Sequence, residues 1–425
     1  MTRKLILFAL LTGGAGSGQE AASPLTLADC IRKSFAVPSS VTITRLDRSI
    51  ADRDTQIARA GLLPQASVAF GGVYTSPSPL NRETFAFIPA NAIREYRGLG
   101  RIFQEIDTSG RIRAEIARAR ANQRVAQASA GIAERDLKRA VSFAYYRLLL
   151  ARRIADAVQS SLVESQAFEK RVKLLAEGGE AARADVVKAS SQTAILRQTL
   201  TSARLAATLA NQDLAAFWTS DVDPLLNIQD TFDQAANEPQ PAEPTPQAPY
   251  LRRFEFSLLD AQRAGFQADA KRIKAQLLPQ LTLGFNYGLD SFRVDWQHRG
   301  YSAVASVGFP VFDWFRTLNF SRQFSTRAQQ VTETRSVAER RYSQEYRASV
   351  VRSSQFLEQI AEAKEQMMLA EEDFKLSRIR YEGGEGAAVD VVVAQNQLVQ
   401  ARSSYYTSIA NYLSAKLDLE VAAGR

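Results

Sequence analysis

Apolar and polar residues alternate in two matched stretches of the chain, each of which begins after a Leu-Leu-Pro sequence. The first stretch follows Pro64 and the second follows Pro279. Alternation with a period of two is typical of a β-strand with one apolar face. The opposite face carries small or polar residues, and the apolar face collects Ala66, Val68, Phe70 and Tyr74 in the first stretch and Leu281, Leu283, Phe285, Tyr287 and Leu289 in the second.

A second alternating run follows in each half of the chain. Residues 301–309 alternate clearly, and residues 95–106 are the expected partner in the first half. In that partner, Arg97 and Arg101 share a side with Leu99 and Phe103, so we expect these arginines to face a lumen or to lie at a rim. Each half therefore contributes one pair of strands.

Long helical patterns fill the sequence between the strand regions. Two segments, at about 109–176 and 317–381, contain no proline and consist mainly of helix-forming residues. At about 1.5 Å per residue, each helix would be about 100 Å long, and a helix of that length is expected to run beside others as a coiled coil. Apolar and small residues step by three and four on both sides of Gly178-Gly179 and Gly383-Gly384, where each long helix is expected to turn back.

The same order of elements occurs twice, which identifies two internal repeats. The Leu-Leu-Pro-Gln landmark recurs after 215 residues, and the Glu-Gly-Gly-Glu landmark with its following Asp-Val-Val recurs after 205. We expect a first repeat over 19–237, with a β-hairpin at about 65–107 and a helical hairpin at about 109–217. A Pro-rich linker, 238–249, leads to a second repeat over 250–425, with a β-hairpin at about 280–312 and a helical hairpin at about 316–420.

Four strands per chain are too few to close a barrel around a pore, because a ring of about eight strands barely encloses its own side chains. Open sheet edges are not tolerated in lipid. If these strands span a membrane, several chains must share one barrel.

The N-terminus has the pattern of a secretory signal peptide, which we expect over 1–18. Arg3 and Lys4 precede a short apolar run, and small residues follow from Gly13 to Gly18. The run is too short to span a bilayer, for which about 20 residues are needed. A buried N-terminal helix is the alternative. Cys30 lies well past the apolar run and is expected to be a structural residue of the first mature helix.

The composition and motifs of the chain argue against disulfides, metal sites and catalysis. The chain has 425 residues, a net charge of +8, one Cys and one His, which leaves neither a disulfide framework nor a His-based metal cluster. Apolar residues make up 45% of the chain and charged residues 23%, which is unlike a nucleic-acid arm. No phosphate-binding loop or Gly-x-Ser-x-Gly elbow occurs. We therefore expect no enzyme activity, no catalytic residues, no cofactor, no metal site and no nucleic-acid partner, and His298 is interpreted as a surface residue rather than a ligand.

The order and duplication of these motifs resemble the TolC-like outer-membrane efflux protein family. The resemblance includes the sequence from Tyr381 to Val392, Leu25-Thr26-Leu27, Ile106-Asp107 with Gly110-Arg111, and Pro310-Val311-Phe312-Asp313. It implies a mainly α fold with β, in which helical hairpins from three chains form a periplasmic helical barrel. Four strands per chain would contribute to a shared 12-stranded transmembrane β-barrel.

The resemblance also implies location and partners. The protein would be a homotrimer in the outer membrane, in contact with outer-membrane lipid, with its helical part in the periplasm. A periplasmic adaptor protein and a proton-driven or ATP-driven inner-membrane pump would dock at the helical end. The channel would be the passive exit duct of a tripartite efflux or type I secretion system.

Three residues match gate positions of the family. Asp185 and Tyr381 match a latch in which a carboxylate accepts a hydrogen bond from a phenol, and Asp390 matches an acidic ring that would attract cations. The basic residue of that latch is replaced by Gly386, and a second ring acid by Val393, so we expect a weaker or differently built closure. The alternatives are a helix-capping role for the two aspartates and a helix-seam role for Tyr381.

Two further groups of residues complete the expectations. The glycines of the double-glycine turns are expected to form adaptor-contact tips, with a plain reverse turn as the alternative: Gly178, Gly179, Gly383 and Gly384. Aromatic residues near the strand ends are expected at the membrane interface: Tyr74, Tyr287, Tyr301 and Trp314. A soluble coiled-coil scaffold that bridges partners is the competing function, and it would be released from membranes by salt without detergent.

Overall fold

The computed structural model describes residues 24–76, 94–221, 225–235 and 248–425. Long helices dominate these ranges, and four strands form a single sheet, as the sequence pattern predicts. Short 3-10 helices cover Pro249–Arg252 and Trp296–His298. The other elements, in chain order, are α1 (Leu27–Ala36), α2 (Ser40–Ala60), β1 (Gln65–Tyr74), β2 (Arg94–Ile106), α3 (Arg111–Glu177), α4 (Arg183–Ala215), α5 (Phe232–Ala235), α6 (Phe254–Ala275), β3 (Gln280–Ser291), β4 (Arg299–Gly308), α7 (Arg316–Glu382) and α8 (Ala388–Ala422).

The sheet is antiparallel with the strand order β1-β2-β3-β4. Strand β2 belongs to the first repeat and β3 to the second, and they pair from Tyr96 opposite Ser291 to Ile106 opposite Leu281. The two repeats are thus joined in one sheet. Strands β1 and β4 lie at its edges, and all their residues are exposed in the single chain.

An aspartate shortly before each of the two 67-residue helices caps the first turn of that helix. The carboxylate of Asp107 accepts hydrogen bonds from the backbone N–H groups of Ile112 and Arg113 at 3.0 and 3.1 Å. In the second repeat, Asp313 accepts from the N–H of Thr317 at 2.9 Å. Both contacts satisfy N–H groups that have no partner inside the helix.

The chain divides into two compact units. The described residues of the first unit are 24–34, 144–221, 225–235 and 364–410, and those of the second are 35–76, 94–143, 248–363 and 411–425. The second unit contains the sheet. The division does not follow the two repeats, because α3, α7 and α8 each contribute residues to both units.

A buried ionic network ties α3, α6 and α7 together within the second unit. Arg135 bonds Glu255 at 2.9 Å, and Arg253 bonds both Glu255 and Glu345 at 3.0 Å. The Arg253 guanidinium also lies over the ring of Tyr342, 3.9 Å from its centroid. Burial alone would raise the pKa of Glu255, but the bonds from Arg135 and Arg253 outweigh it and lower that pKa to about 2.

The first unit has a conventional apolar core and a fully buried tyrosine. Tyr145 donates its hydroxyl to the backbone carbonyl of Gln229, and Phe232 and Leu214 are also fully buried. Cys30 is buried in α1, in line with the structural role expected for it, and burial raises the pKa of its thiol to about 11.

Two expectations fall outside the described residues. They are the signal peptide over 1–18 and all but the last two residues of the Pro-rich linker over 238–249. Within the described part of the chain, no helix is both long enough and apolar enough to cross a bilayer.

Candidate functional site

Both double-glycine turns have the same geometry. Gly179 and Gly384 adopt left-handed backbone conformations with φ of 80° and 78°. Each helix end is closed by two nested backbone hydrogen bonds of the Schellman type. The N–H groups of Gly179 and Glu180 donate to the carbonyls of Ala176 and Leu175, and those of Gly384 and Glu385 donate to Tyr381 and Arg380. All four glycines expected at the tips are exposed, so they are accessible to a partner.

Four helices pack together beside these turns, all within the first unit. The buried residues of this cluster come from α3, α4, α7 and α8, so both helical hairpins share one apolar core. Its members are Phe168, Val172, Ala189, Phe374, Tyr381, Ala388, Val391, Ala394 and Leu398. The helix-seam role weighed for Tyr381 agrees with this position.

The hydroxyl of Tyr381 is buried and has no hydrogen-bond partner in the described part of the chain. The ring packs edge-on against Phe168 with 5.2 Å between the ring centroids, and the residue is 8% exposed. Burial raises the pKa of Tyr381, and the negative charge of Asp185 raises it further. The structure therefore brings Asp185 within electrostatic reach of Tyr381, and no hydrogen bond joins them within the chain.

Asp185 and Asp390 occupy the same position, the third residue of a returning helix. Helix α4 begins at Arg183 and α8 at Ala388. Asp390 is exposed, and its carboxylate accepts from the backbone N–H of Ala387 at 3.3 Å. A carboxylate in the first turn also interacts favourably with the positive end of the helix dipole. Asp390 therefore caps the start of α8. Its carboxylate is exposed, which is compatible with the acidic ring expected from the sequence.

Gly386, where the resemblance implies a basic residue, has tight surroundings. A Cβ atom there would lie 3.2 Å from the backbone nitrogen of Tyr381. A larger residue could be accommodated only if the turn shifted. Val393, at the other departure from the family pattern, is 49% exposed on α8.

Polar contacts between the helical hairpins were missed by sequence reasoning. The side-chain amides of Gln192 and Asn396 exchange hydrogen bonds of 2.6 and 3.4 Å between α4 and α8. Gln395, which is 1% exposed, donates to the backbone carbonyl of Ser161 at 3.0 Å. These residues lie between the positions of the three-and-four stepping pattern, so that pattern gives no signal for them.

The two arginines of β2 lie on the polar face of the sheet. Arg97 is 2.7 Å from Glu95 and 3.3 Å from Asp290. Arg101 donates from Nε to Oδ1 of Asn286 at 2.9 Å. Both line a concavity of about 680 Å³ in that face. This placement agrees with the lumen-facing position considered for them from the sequence.

The four aromatic residues expected at the membrane interface are exposed, but they differ in setting. Tyr74, Tyr287 and Tyr301 are strand residues with exposures of 73%, 49% and 77%. Trp314 is 82% exposed and lies in the turn before α7, where it has a φ of 56°. Such a left-handed conformation is unfavourable for a non-glycine residue.

His298 is partly exposed, and its Nδ1 lies 3.8 Å from Asp295. No group of three or more potential metal ligands occurs in the ranges described by the structure.

Comparisons with known proteins agree with this geometry. Residues 250–425 match the family model described as outer membrane efflux protein. No curated protein matches the chain in sequence.

Several solved structures have the same fold at low sequence identity. A membrane protein from Pseudomonas aeruginosa is 19% identical and has a TM-score of 0.83, with 94% of this chain and 92% of that chain covered. The Campylobacter jejuni CmeC outer membrane channel is 14% identical with a TM-score of 0.82, over 94% and 85% of the two chains. The open state of the Neisseria gonorrhoeae MtrE outer membrane channel is 17% identical with a TM-score of 0.80, over 94% and 88%.

The mainly helical fold with two repeats and one four-stranded antiparallel sheet is the fold expected from the sequence. The predicted resemblance is confirmed in these terms: residues 250–425 match the outer membrane efflux protein family model, and the chain has the fold of solved outer membrane channels.

Proposed function

We propose that the protein is an outer-membrane export channel built from three copies of the chain. It would be the passive exit duct of a tripartite efflux or type I secretion system, in which an inner-membrane pump drives export through a periplasmic adaptor. The observation that carries the proposal is the four-stranded sheet, which has one exposed apolar face and two edge strands with open hydrogen-bonding groups.

The exposed apolar face fits contact with lipid. Its residues include Val68, Phe70 and Tyr301, which are 67%, 85% and 77% exposed. An apolar surface of this kind is unusual on a soluble monomer. In a bilayer the same face would be in its preferred environment, and the aromatic side chains near the strand ends would lie at the level of the lipid headgroups.

The open edges fit the sharing of one barrel among copies. Unpaired N–H and C=O groups cost several kcal/mol each in hydrocarbon. If β4 of one copy paired with β1 of the next, every edge would be satisfied in a closed ring. Three copies give the 12 strands that the family resemblance implies.

The exposed apolar residues of the returning helices fit helix packing between copies. Val187 on α4 is 61% exposed, and Val389 and Val393 on α8 are 40% and 49% exposed. In a ring of copies these side chains would be covered by neighbouring hairpins. The double-glycine turns would remain accessible as contacts for the adaptor.

Cross-linking between the edge strands tests the assembly. The Cys30→Ser chain would carry Ala69→Cys on β1 and Gly300→Cys on β4, and purified membranes would be treated with a flexible bis-maleimide. We expect dimers and trimers on a denaturing gel for the double variant and none for either single variant. Extraction should require detergent. A monomer that salt alone releases from membranes would refute the channel and favour the soluble scaffold.

The gate belongs to the same proposal. Asp185 and Tyr381 would restrict the helical end at rest, and Asp390 would form a ring that attracts cations. The unpartnered Tyr381 hydroxyl and the nearby Asp185 charge support this assignment. Single-channel conductance of the Tyr381→Phe, Asp185→Ala double variant should exceed that of the unaltered protein, and equal conductance would count against a latch. Asp390→Asn should weaken block by divalent cations.

A further inference from the structure

One aligned row of positions is polar in all four strands of the sheet. Ser67 pairs with Arg101, Arg101 with Asn286, and Asn286 with Ser302. Because aligned residues point to the same side, the four side chains form a polar row across one face. The neighbouring row on the same face, between Arg101 and Arg97, contains Ala69, Leu99, Gly288 and Gly300. The neighbouring row in the opposite direction contains Gln65, Phe103, Gly284 and Val304. Neither flanking row carries a charge.

Hydrogen bonds along the row fix the position of the Arg101 side chain. Nε of Arg101 donates to Oδ1 of Asn286 at 2.9 Å, and Nδ2 of the same amide donates to Oγ of Ser302 at 3.0 Å. This chain of donors orients the amide. It leaves the two terminal amino groups of the guanidinium available for another acceptor.

The other charges on this side of the sheet are paired. Arg97 has two carboxylate neighbours, Glu95 and Asp290, and Glu105 lies 2.6 Å from Arg111. Arg101 forms no ion pair with any residue in the described ranges. Within the described ranges, Arg101 is therefore the charged residue of the polar face that has no ion-pair partner.

The space in front of Arg101 is open. Small residues at Ala69, Gly288 and Gly300 form part of the floor of the 680 Å³ concavity, which Arg97 and Arg101 also line. A guanidinium with free donors beside such a space suits carboxylate, phosphate or sulfonate groups, which accept two parallel N–H bonds.

We propose that Arg101 determines ion selectivity in the exit lumen and favours anions and cargo with an anionic group. The proposal rests on the channel function above, because one copy presents one arginine and a ring of copies presents a ring of them. Rings of Arg or Lys are the general device by which pores favour anions. Asn286 and Ser302 position the guanidinium in this ring.

Reversal potentials in planar bilayers under a KCl gradient test the proposal. At about 0.1 M salt, Arg101→Gln should lower the chloride-to-potassium permeability ratio by about two- to fourfold, because three like charges act on ions over about one Debye length. Arg101→Lys should retain the ratio, and Arg101→Glu should lower it further than Arg101→Gln.

Arg299→Gln is the matched control, because Arg299 pairs with Leu289 in a row of the opposite, apolar face. It removes the same charge and should leave the ratio unchanged. A ratio that is unaffected by Arg101→Gln, or that changes equally in Arg299→Gln, would overturn the proposal while leaving the channel intact.

The channel function would fail differently. The unaltered protein would then give no conductance at all, whatever residue stood at position 101. Should Arg101→Gln not assemble, the comparison of Arg101→Lys with Arg101→Glu decides the question, since a lumen charge predicts different ratios for them. Equal ratios for these two variants would contradict it.

Discussion

The buried hydroxyl of Tyr381 gives a substitution whose effect on stability has a defined sign. Tyr381→Phe removes one oxygen atom and retains the ring that packs against Phe168. That oxygen has no hydrogen-bond partner within the described chain. Since water would solvate it in the opened state, its burial is a cost to the folded state, and its removal should stabilise the helices around it.

The size of the effect follows from the cost of an unsatisfied buried group. Such a group costs about 1–3 kcal/mol. Tyr381 is 8% exposed, and the substituted ring keeps its contacts. We therefore expect the free energy of local opening to rise by about 1–2 kcal/mol, towards the lower end of this range. Backbone amides around Tyr381 should then exchange about 5- to 30-fold more slowly.

Hydrogen–deuterium exchange with mass spectrometry is the suitable assay, because peptides within 374–398 report on this cluster directly. Tyr145→Phe is the matched control. Its hydroxyl donates to the carbonyl of Gln229, so its removal leaves a buried acceptor unpaired and should speed exchange in neighbouring peptides.

Faster exchange around position 381 in Tyr381→Phe would refute this reasoning. The prediction concerns the unassembled chain, in which the hydroxyl has no partner in the described residues. In the assembled channel the proposed latch would give it a partner, and there the same substitution should speed exchange. Unchanged exchange would also contradict the expected relief of a buried, unsatisfied group.

Three other perturbations have outcomes fixed by the structure. Leu398→Ala, at a residue that is 1% exposed in the four-helix cluster, should cost about 2–5 kcal/mol and lower the melting temperature in detergent. Gly384→Ala places a side chain in open space but at a φ of 78°, so it should cost about 1–2 kcal/mol through backbone strain alone, and Gly384→Asn should cost less in the same melting assay. The pKa of Glu255 is about 2 in the folded chain against an ordinary value of 4.5, so its bonds to Arg135 and Arg253 stabilise the fold above pH 4.5. That stability should be lost as the pH falls from 4.5 towards 2, and melting curves of Glu255→Gln should show a weaker dependence on pH over this range.

Local periodicity was sufficient to predict the strands and the helical hairpins. Alternation after Pro64 and Pro279 corresponds to β1 and β3, and the double-glycine landmarks correspond to the ends of α3 and α7. These features depend on the near neighbours of each residue along the chain. The same reasoning considered the lumen-facing placement of Arg97 and Arg101, because their position in an alternating run assigns them to the small, polar face.

The remaining features depend on residues far apart in the sequence. Nothing in the local pattern near Tyr381 indicates that its hydroxyl lacks a partner, since that depends on α3 and α4 as well as α7. The bond between Gln192 and Asn396 joins residues separated by 204 positions. Trp314 could be recognised as an exposed aromatic residue, but its left-handed backbone could not, because no glycine marks the turn.

The pairing of β2 with β3 makes the covalent connection between the repeats dispensable once the sheet has formed. Eleven aligned residue pairs hold the first half of the chain to the second, and a cut between the halves breaks none of them. A protease nick in the connecting segment should therefore give two bands on a denaturing gel and one species under native conditions. Halves produced from two separate genes should therefore reassemble through the pairing of β2 with β3. The two repeats would then form one sheet without a peptide bond between them.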